Sequence, residues 1–472
     1  MIVVLCALLS GAMFYASQGP ADLWYLAWLA PAPILWLAYG DAPNRQLTLA
    51  ALAAFVIGQC YIFFYTIVFR IVPPAVAIPI IISTFLLQAI VFPVAIGFAR
   101  YVQRRTNSFA TLFAFPVCWT AMEYGISLFS PHGSFGSLAY SQMSAPALIQ
   151  SASLFGLYSV TFLICLFANA VAIALRRRKG WAIAASLGVA ICAANVAFGF
   201  ARLAEPEPGA IRVAALSDEK AQAEAFHADT LAAAVDLSTH YARAVRAAAA
   251  KGARLVVIPE GGFLVKRAWR AAVFAPLIAA SRETGAQIVA GAYEPTPPGD
   301  LAITFNPDGS VDFYAKRHPM PLMESQFTPG TESGLIGNGR AVAICKDMDF
   351  PRSIRDTSQN GVRLMAVPGG DLVDDAWIHS RLALMRGVEN GFSVVRSAYL
   401  GLVAASDSRG RLIASKMAWP HAGMTAIVAD LPLGPGPTLY TRIGDVFAWL
   451  CVALSLAIGA LALMARKRDE GS

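Results

Sequence analysis

The sequence predicts a polytopic α-helical membrane bundle of about eight spans that carries one large extracytoplasmic α/β domain. Three observations lead there. The 472 residues are 57% hydrophobic and 14% charged, too apolar for an ordinary soluble chain and long enough for a membrane part plus a folded domain. Long apolar runs fill residues 1 to 203 and return at 444 to 465. Between them the pattern changes to short strands alternating with helices.

A bilayer core takes roughly 20 helical residues to cross. Seven apolar segments of about that length run near 1 to 17, 22 to 40, 47 to 69, 73 to 99, 108 to 129, 150 to 174 and 181 to 202, with an eighth at 444 to 465. The first is expected to be retained, because Met1-Ile2-Val3-Val4 offers no basic region of a signal peptide and Gly19-Pro20 leads directly into another span. The net charge of +7 sits largely in clusters at Arg100 to Arg105, Arg176 to Lys179 and Arg466 to Arg468. Each cluster abuts an apolar run, the habit of cytoplasmic span ends rather than of a nucleic-acid surface. With Met1 inside, these clusters and Arg45 all fall inside, and Arg70 is the exception. Seven crossings then place the residues after 203 in a periplasm-like compartment, as expected of a multi-pass inner-membrane protein.

Glu205-Pro206-Glu207-Pro208-Gly209 and Pro432-Leu433-Gly434-Pro435-Gly436-Pro437 read as stiff linkers at the two ends of the α/β domain. The expected division is therefore a bundle at 1–203, a domain at 204–436, and a last span with its tail at 437–472. Expected strands are 211–216, 255–258, 287–292, 301–305, 311–315, 340–345, 364–367, 393–397, 400–405 and 424–429. Expected helices are 221–250, 266–283 and 376–389, and Asn306-Pro307-Asp308-Gly309 is a hairpin turn.

Chemistry concentrates at three expected strand ends. Cys345 closes an apolar strand and is the one cysteine of seven outside the apolar runs. A cysteine taken alone is more often a small buried hydrophobe than a nucleophile. Its companions change that balance: Glu260 follows Leu255-Val256-Val257-Ile258-Pro259, and Lys316 follows Val311-Asp312-Phe313-Tyr314-Ala315. A free thiol with a pKa near 8.5 needs a base or a cation to become nucleophilic. Glu260 supplies the base and Lys316 the positive charge, which can also hold an oxyanion beside the backbone N–H of Lys346. The histidines and cysteines show no metal-ligand spacing, so neither metal nor cofactor is expected.

The order Glu, Lys, Cys, with Pro259-Glu260, Tyr314-Ala315-Lys316-Arg317-His318 and Ile344-Cys345, resembles the nitrilase (carbon–nitrogen hydrolase) superfamily. Together with the spans it resembles the apolipoprotein N-acyltransferase family. Gly133 to Gln142, Met385 to Gly391 and Thr438 to Asp445 are similar to that family's other motifs. The resemblance implies a nitrilase-like αββα sandwich on the bundle and a two-step reaction. Cys345 takes an acyl chain from a phospholipid as a thioester and passes it to the N-terminal amine of a diacylglyceryl-cysteine apolipoprotein. It also implies supporting roles for Glu324, which orients Lys316, for Asp347 two residues past the cysteine, and for Trp377.

The chain departs from the family pattern at several places. Lys346 stands where Tyr is usual, Phe135 where Trp is usual, and Asp300-Leu301 where Asn-Ser is usual. Asp374 replaces an Asn, and Ile126 replaces the Arg that follows Glu123. Lys346 beside the thiol is expected to lower its pKa. Gly261 to Val265 and Met320 to Met323 are candidate lids dipping into lipid. The competing reading is a membrane-tethered amidase or nitrilase using the same three residues on a small amide.

Overall fold

The computed structural model describes the chain apart from residues 19–20, 61–73, 107, 177–180, 372, 374–375, 421–422 and 470–472, and apart from the side chains at 74–88 and 466–469. The expected spans at 47 to 69 and 73 to 99 therefore fall partly outside the described residues. So do Arg70, Arg177 to Lys179, Asp374 and Asp375. The chain divides into two compact units, Met1–Ala204 with Ile443–Ser472, and Glu205–Arg442.

The first unit is helical. Among the described residues, four helices are long and apolar enough to cross a membrane: Ala110–Phe129, Leu157–Leu175, Trp181–Ala204 and Val446–Ala465. The helix Ile2–Gln18 is apolar but shorter. The expected span at 22 to 40 is not one continuous helix: a 3-10 segment Trp24–Trp28 gives way to the seven-residue helix Ala32–Ala38. Pro31 and Pro33 sit at the junction, where missing amide hydrogens interrupt the helical ladder. Basic residues satisfy carbonyls near the helix Ala32–Ala38, Arg176 Nε donating to Trp36 O in its last turn at 2.8 Å and Arg100 to Ala42 O in the connection that follows at 2.6 Å. Glu123, which has Ile126 in place of the usual arginine, accepts instead from Ser137 at 2.5 Å, Thr161 at 2.9 Å and Trp119 at 3.1 Å. A buried carboxylate without a cation needs such donors.

The second unit is a four-layer α/β sandwich. Its strands are β1 (Ala210–Ser217), β2 (Leu255–Leu264), β3 (Gln287–Pro295), β4 (Pro298–Phe305), β5 (Val311–Ala315), β6 (Arg340–Val342), β7 (Leu364–Gly370), β8 (Ser393–Tyr399), β9 (Leu402–Ser406), β10 (Leu412–Met417) and β11 (Thr425–Pro432). They form a six-stranded sheet ordered β11-β1-β2-β3-β4-β5 and a five-stranded sheet ordered β10-β9-β8-β7-β6. The pairs β1–β2, β2–β3, β6–β7 and β7–β8 are parallel.

Alternation along continuous apolar runs builds three cores at once. Val213, Ala215, Leu255 and Val257 point between the sheets and meet Ile344, Leu364, Val395 and Val403. Their neighbours Ala214, Leu216, Val256 and Ile258 face the other way, onto helices Leu231–Ala250 and Arg270–Thr284. On the far side, Ala341, Met365, Val367 and Val394 pack under helices Pro351–Ser358 and Ala376–Asn390. The order of layers is helix, sheet, sheet, helix.

Three local expectations change. The helix expected over 221 to 250 is two helices, Glu219–Ala228 and Leu231–Ala250, because Asp229 adopts a left-handed φ of 42° and Thr230 caps the second helix by accepting from Ala233 N. Strand β2 runs on to Leu264, with its pairing to β3 irregular between Ile258 and Phe263. Strand β6 stops at Val342, and Cys345 opens a 3-10 helix, Cys345–Asp349.

Candidate active site

Glu260, Lys316 and Cys345 converge in the second unit, each delivered by a different local device. Glu260 lies inside β2, where the strand bulges. Gly261 takes a positive φ of 56° there, and on the facing strand a Cβ at Gly291 would come within 2.4 Å of the Glu260 Cα. Two glycines thus let the backbone turn and close up around the carboxylate. Lys316 is the first residue after β5; its N–H donates to Asp300 O at 2.9 Å and its carbonyl accepts from Gly330 N at 2.9 Å. Cys345 has a φ of 37°, a conformation that L-residues reach at a cost and that turns Sγ out of the strand direction. Its Sγ donates to Gly370 O at 3.3 Å, at the end of β7.

The Lys316 ammonium sits in a nest of acids. Glu260 Oε1 is 2.5 Å from Nζ, Glu324 2.8 Å and Asp300 Oδ2 3.1 Å. Burial works against the ammonium, but the three acids outweigh it and hold Lys316 well above its ordinary pKa. Burial likewise opposes the Glu260 carboxylate, and Lys316 brings it below the usual range. Asp300 goes the other way: burial, followed by the adjacent Glu260 charge, holds it well above the usual carboxylate range. Among the described residues neither Asp300 oxygen receives a well-aligned hydrogen bond. A proton on Asp300 resolves this, since it becomes a donor to Glu260. Glu324 contacts the Lys316 ammonium at 2.8 Å and also accepts from Met320 N at 2.6 Å.

The thiol is not pre-ionised. Burial and the Glu260 charge push Cys345 well above its ordinary pKa, and Lys316 and Arg396 offset only part of this. Glu260 is the carboxylate in hydrogen-bond contact with that thiol. Lys346, expected to act on the thiol, has its ammonium engaged by Asp349 at 3.2 Å.

Asp347 ties two parts of the site together. One oxygen accepts from Arg317 N at 3.0 Å and His318 N at 2.9 Å, and the other from Tyr314 Oη at 2.7 Å and Ile344 N at 3.0 Å. Those donors flank Lys316 on one side and Cys345 on the other. The Trp377 indole carries the Arg381 guanidinium at 3.5 Å.

Sequence reasoning missed Asp300 as a site residue and also missed a second group near the sulfur. His379 Nδ1 lies 3.9 Å from Cys345 Sγ and 3.8 Å from Asp371 Oδ1, and Asp371 is gripped by Arg396. The spacing Asp371, Trp377, His379 carries no periodic signal in the sequence. Two groups have ligand spacing for a cation, Glu260 with Asp300 and Glu324, and Cys345 with Asp371 and His379. In the first the Lys316 ammonium already supplies the positive charge, and in the second the Arg396 guanidinium meets Asp371.

The geometry is that of acyl transfer: a nucleophile, a base within proton-transfer reach and a fixed cation. Comparison with known proteins agrees. Residues 188–433 match the carbon–nitrogen hydrolase family model, and residues 10–170 match the model of the apolipoprotein N-acyltransferase N-terminal domain. A protein named apolipoprotein N-acyltransferase from Geobacter metallireducens is 28% identical, over 97% of this chain and 95% of its own. One of the same name from Bradyrhizobium diazoefficiens is 26% identical, over 98% of this chain and 95% of its own. An amidase structure from Nesterenkonia sp. is 21% identical, covers 51% of this chain and 95% of the amidase, and superposes with a TM-score of 0.40. The chain belongs to the carbon–nitrogen hydrolase family, and within it to the apolipoprotein N-acyltransferases.

Proposed function

We propose that this chain moves a fatty acyl group from a phospholipid, through a thioester on Cys345, to the N-terminal amine of a diacylglyceryl-cysteine lipoprotein. The observation that carries the reading is the triple convergence on one sulfur-centred site, with Glu260 and Lys316 2.5 Å apart and the thiol in their field. Glu260 takes the Sγ proton as sulfur attacks the ester carbonyl, and returns it to the glycerol oxygen that leaves. Lys316 and the backbone N–H of Lys346 face the developing oxyanion, and one such donor typically contributes roughly 3 kcal/mol. Glu324 and Asp347 hold Lys316 and Cys345 in place.

Both substrates are membrane lipids, whose tails cost about 0.8 kcal/mol per CH₂ to expose to water. A catalytic domain joined to apolar helices avoids that cost. A small-amide hydrolase gains nothing from them. The basic clusters support an inner-membrane setting of about eight crossings, with the catalytic domain on the periplasmic side.

The test is direct. Full-length protein incubated with phosphatidylethanolamine vesicles is digested and the Cys345 peptide weighed. A fatty acyl increment, absent in Cys345→Ala, is expected. An unmodified peptide, with hydrolysis of small amides instead, rejects the reading in favour of an amidase.

A further inference from the structure

The reaction just proposed leaves one proton without a carrier, and the inference rests on that reading. An N-terminal α-amine has an ordinary pKa of about 7.7–8.0, so at neutral pH most of it arrives as ammonium. It must lose one proton before nitrogen has a lone pair to attack with, and a second as the amide forms. Glu260, back to carboxylate after step one, accommodates one of them. A second acceptor is needed within the same enclosed space.

We propose that His379 is that acceptor, a further catalytic residue beside Cys345. Its Nδ1 is 3.9 Å from Sγ, so it lies beside any nitrogen approaching a thioester carbon bonded to that sulfur. Asp371 Oδ1, 3.8 Å from the same nitrogen, steadies the imidazolium that forms. Asp371 is itself buried and fixed by Arg396, so the carboxylate cannot swing away. The other charged groups on the neighbouring elements are largely matched among themselves. Lys346 is paired with Asp349, Arg355 with Asp356, and Asp347 is filled by four donors; Arg352 is exposed to solvent. On the helix of His379, Arg381 lies over Trp377 and Arg386 is bonded to Glu389.

The balance closes as follows. The acceptor ammonium gives one proton to Nδ1, leaving a free amine and an imidazolium. The amine lone pair forms the C–N bond at the thioester carbon, and its next proton passes to Glu260. The C–S bond then breaks with its electron pair on sulfur, and Sγ recovers the thiol by taking the proton from Glu260. The imidazolium releases its proton to water.

Full-length wild type and His379→Gln, reconstituted in phosphatidylethanolamine vesicles, are followed through both half-reactions. Lysophospholipid release reports the first, and acyl transfer to a synthetic diacylglyceryl-cysteine peptide reports the second. Without acceptor peptide, His379→Gln is expected to form the Cys345 thioester, with its single equivalent of lysophospholipid, as wild type does. It should transfer roughly 10²-fold more slowly than wild type at about pH 6.5, with the gap closing at about pH 8.5, where the amine arrives largely deprotonated. Equal transfer at both pH values overturns the proposal. So does a gap that does not close, which marks a structural role. Loss of both half-reactions in His379→Gln and His379→Asn alike also overturns it. Absence of any thioester in the wild type is a failure of the acyltransferase reading instead.

Discussion

One ammonium faces three carboxylates, Glu260 and Asp300 buried and Glu324 partly exposed, and burial beside the Glu260 charge favours a proton on Asp300. A neutral carboxyl at that position has nearly the shape of an amide, so an Asn there would keep the same arrangement. Because the folded-state pKa of Asp300 is raised, its favourable state is complete at low pH and is lost as pH climbs through that raised value. Acylation of Cys345 in the wild type is therefore expected to fall on the alkaline side, while Asp300→Asn keeps its rate there and matches wild type within about threefold near neutrality. Rates of lysophospholipid release across pH check this; a wild-type profile as flat as that of the variant removes the protonated-acid account. At this scale Glu260, Lys316 and Cys345 were legible in the sequence, because each follows an apolar run that could only be a strand. Asp300 and His379 were not. The first belongs to a hairpin strand with no sequence mark of chemistry, and the second stands 34 residues beyond the cysteine, on a helix whose approach to the sulfur no spacing records.

Elements show where local rules were overruled. The apolar run into Cys345 reads as a single strand, yet pairing with β7 ends at Val342 and the cysteine adopts a left-handed backbone angle. Nothing in the alternation of side chains encodes that angle; the Asp347 bonds to Ile344 and to the loop beyond β5 impose it. The break at Asp229 was hidden in the same way, by an Ala-rich run whose propensity favours one long helix. Glu219 opens the first of those two helices in a buried position, and burial pushes its carboxyl up to about 7. A raised folded-state value means that its contribution to stability is full below the unfolded pKa of about 4.3 and is lost as pH rises through about 7. Glu219→Gln should therefore melt with the wild type in acid and above it at alkaline pH. Thermal scans at the two extremes test this, and coincident melting at both would sink it.

For the whole molecule, composition alone carried the division between apolar helices and an α/β layer structure, since strands buried on both faces leave unbroken apolar runs. It could not reveal the interruption at Pro31 and Pro33, because hydropathy averages over the prolines that break the helix. The proposed orientation makes a prediction at this scale. In intact cells with a permeable outer membrane, an impermeant maleimide should label a cysteine placed at exposed Lys220 and spare one placed at exposed Arg45. The reverse pattern inverts the topology. Exposed Leu322, with its positive φ, lies in the stretch between Lys316 and Glu324. Because one carboxylate, Asp347, bolts the lysine's loop to the cysteine's turn, the gap between charge and sulfur cannot widen to admit a bulky lipid. For the proposed lipid donors, guest size should therefore govern how fast substrate enters beside that exposed stretch and leave the chemistry of the bond exchange untouched.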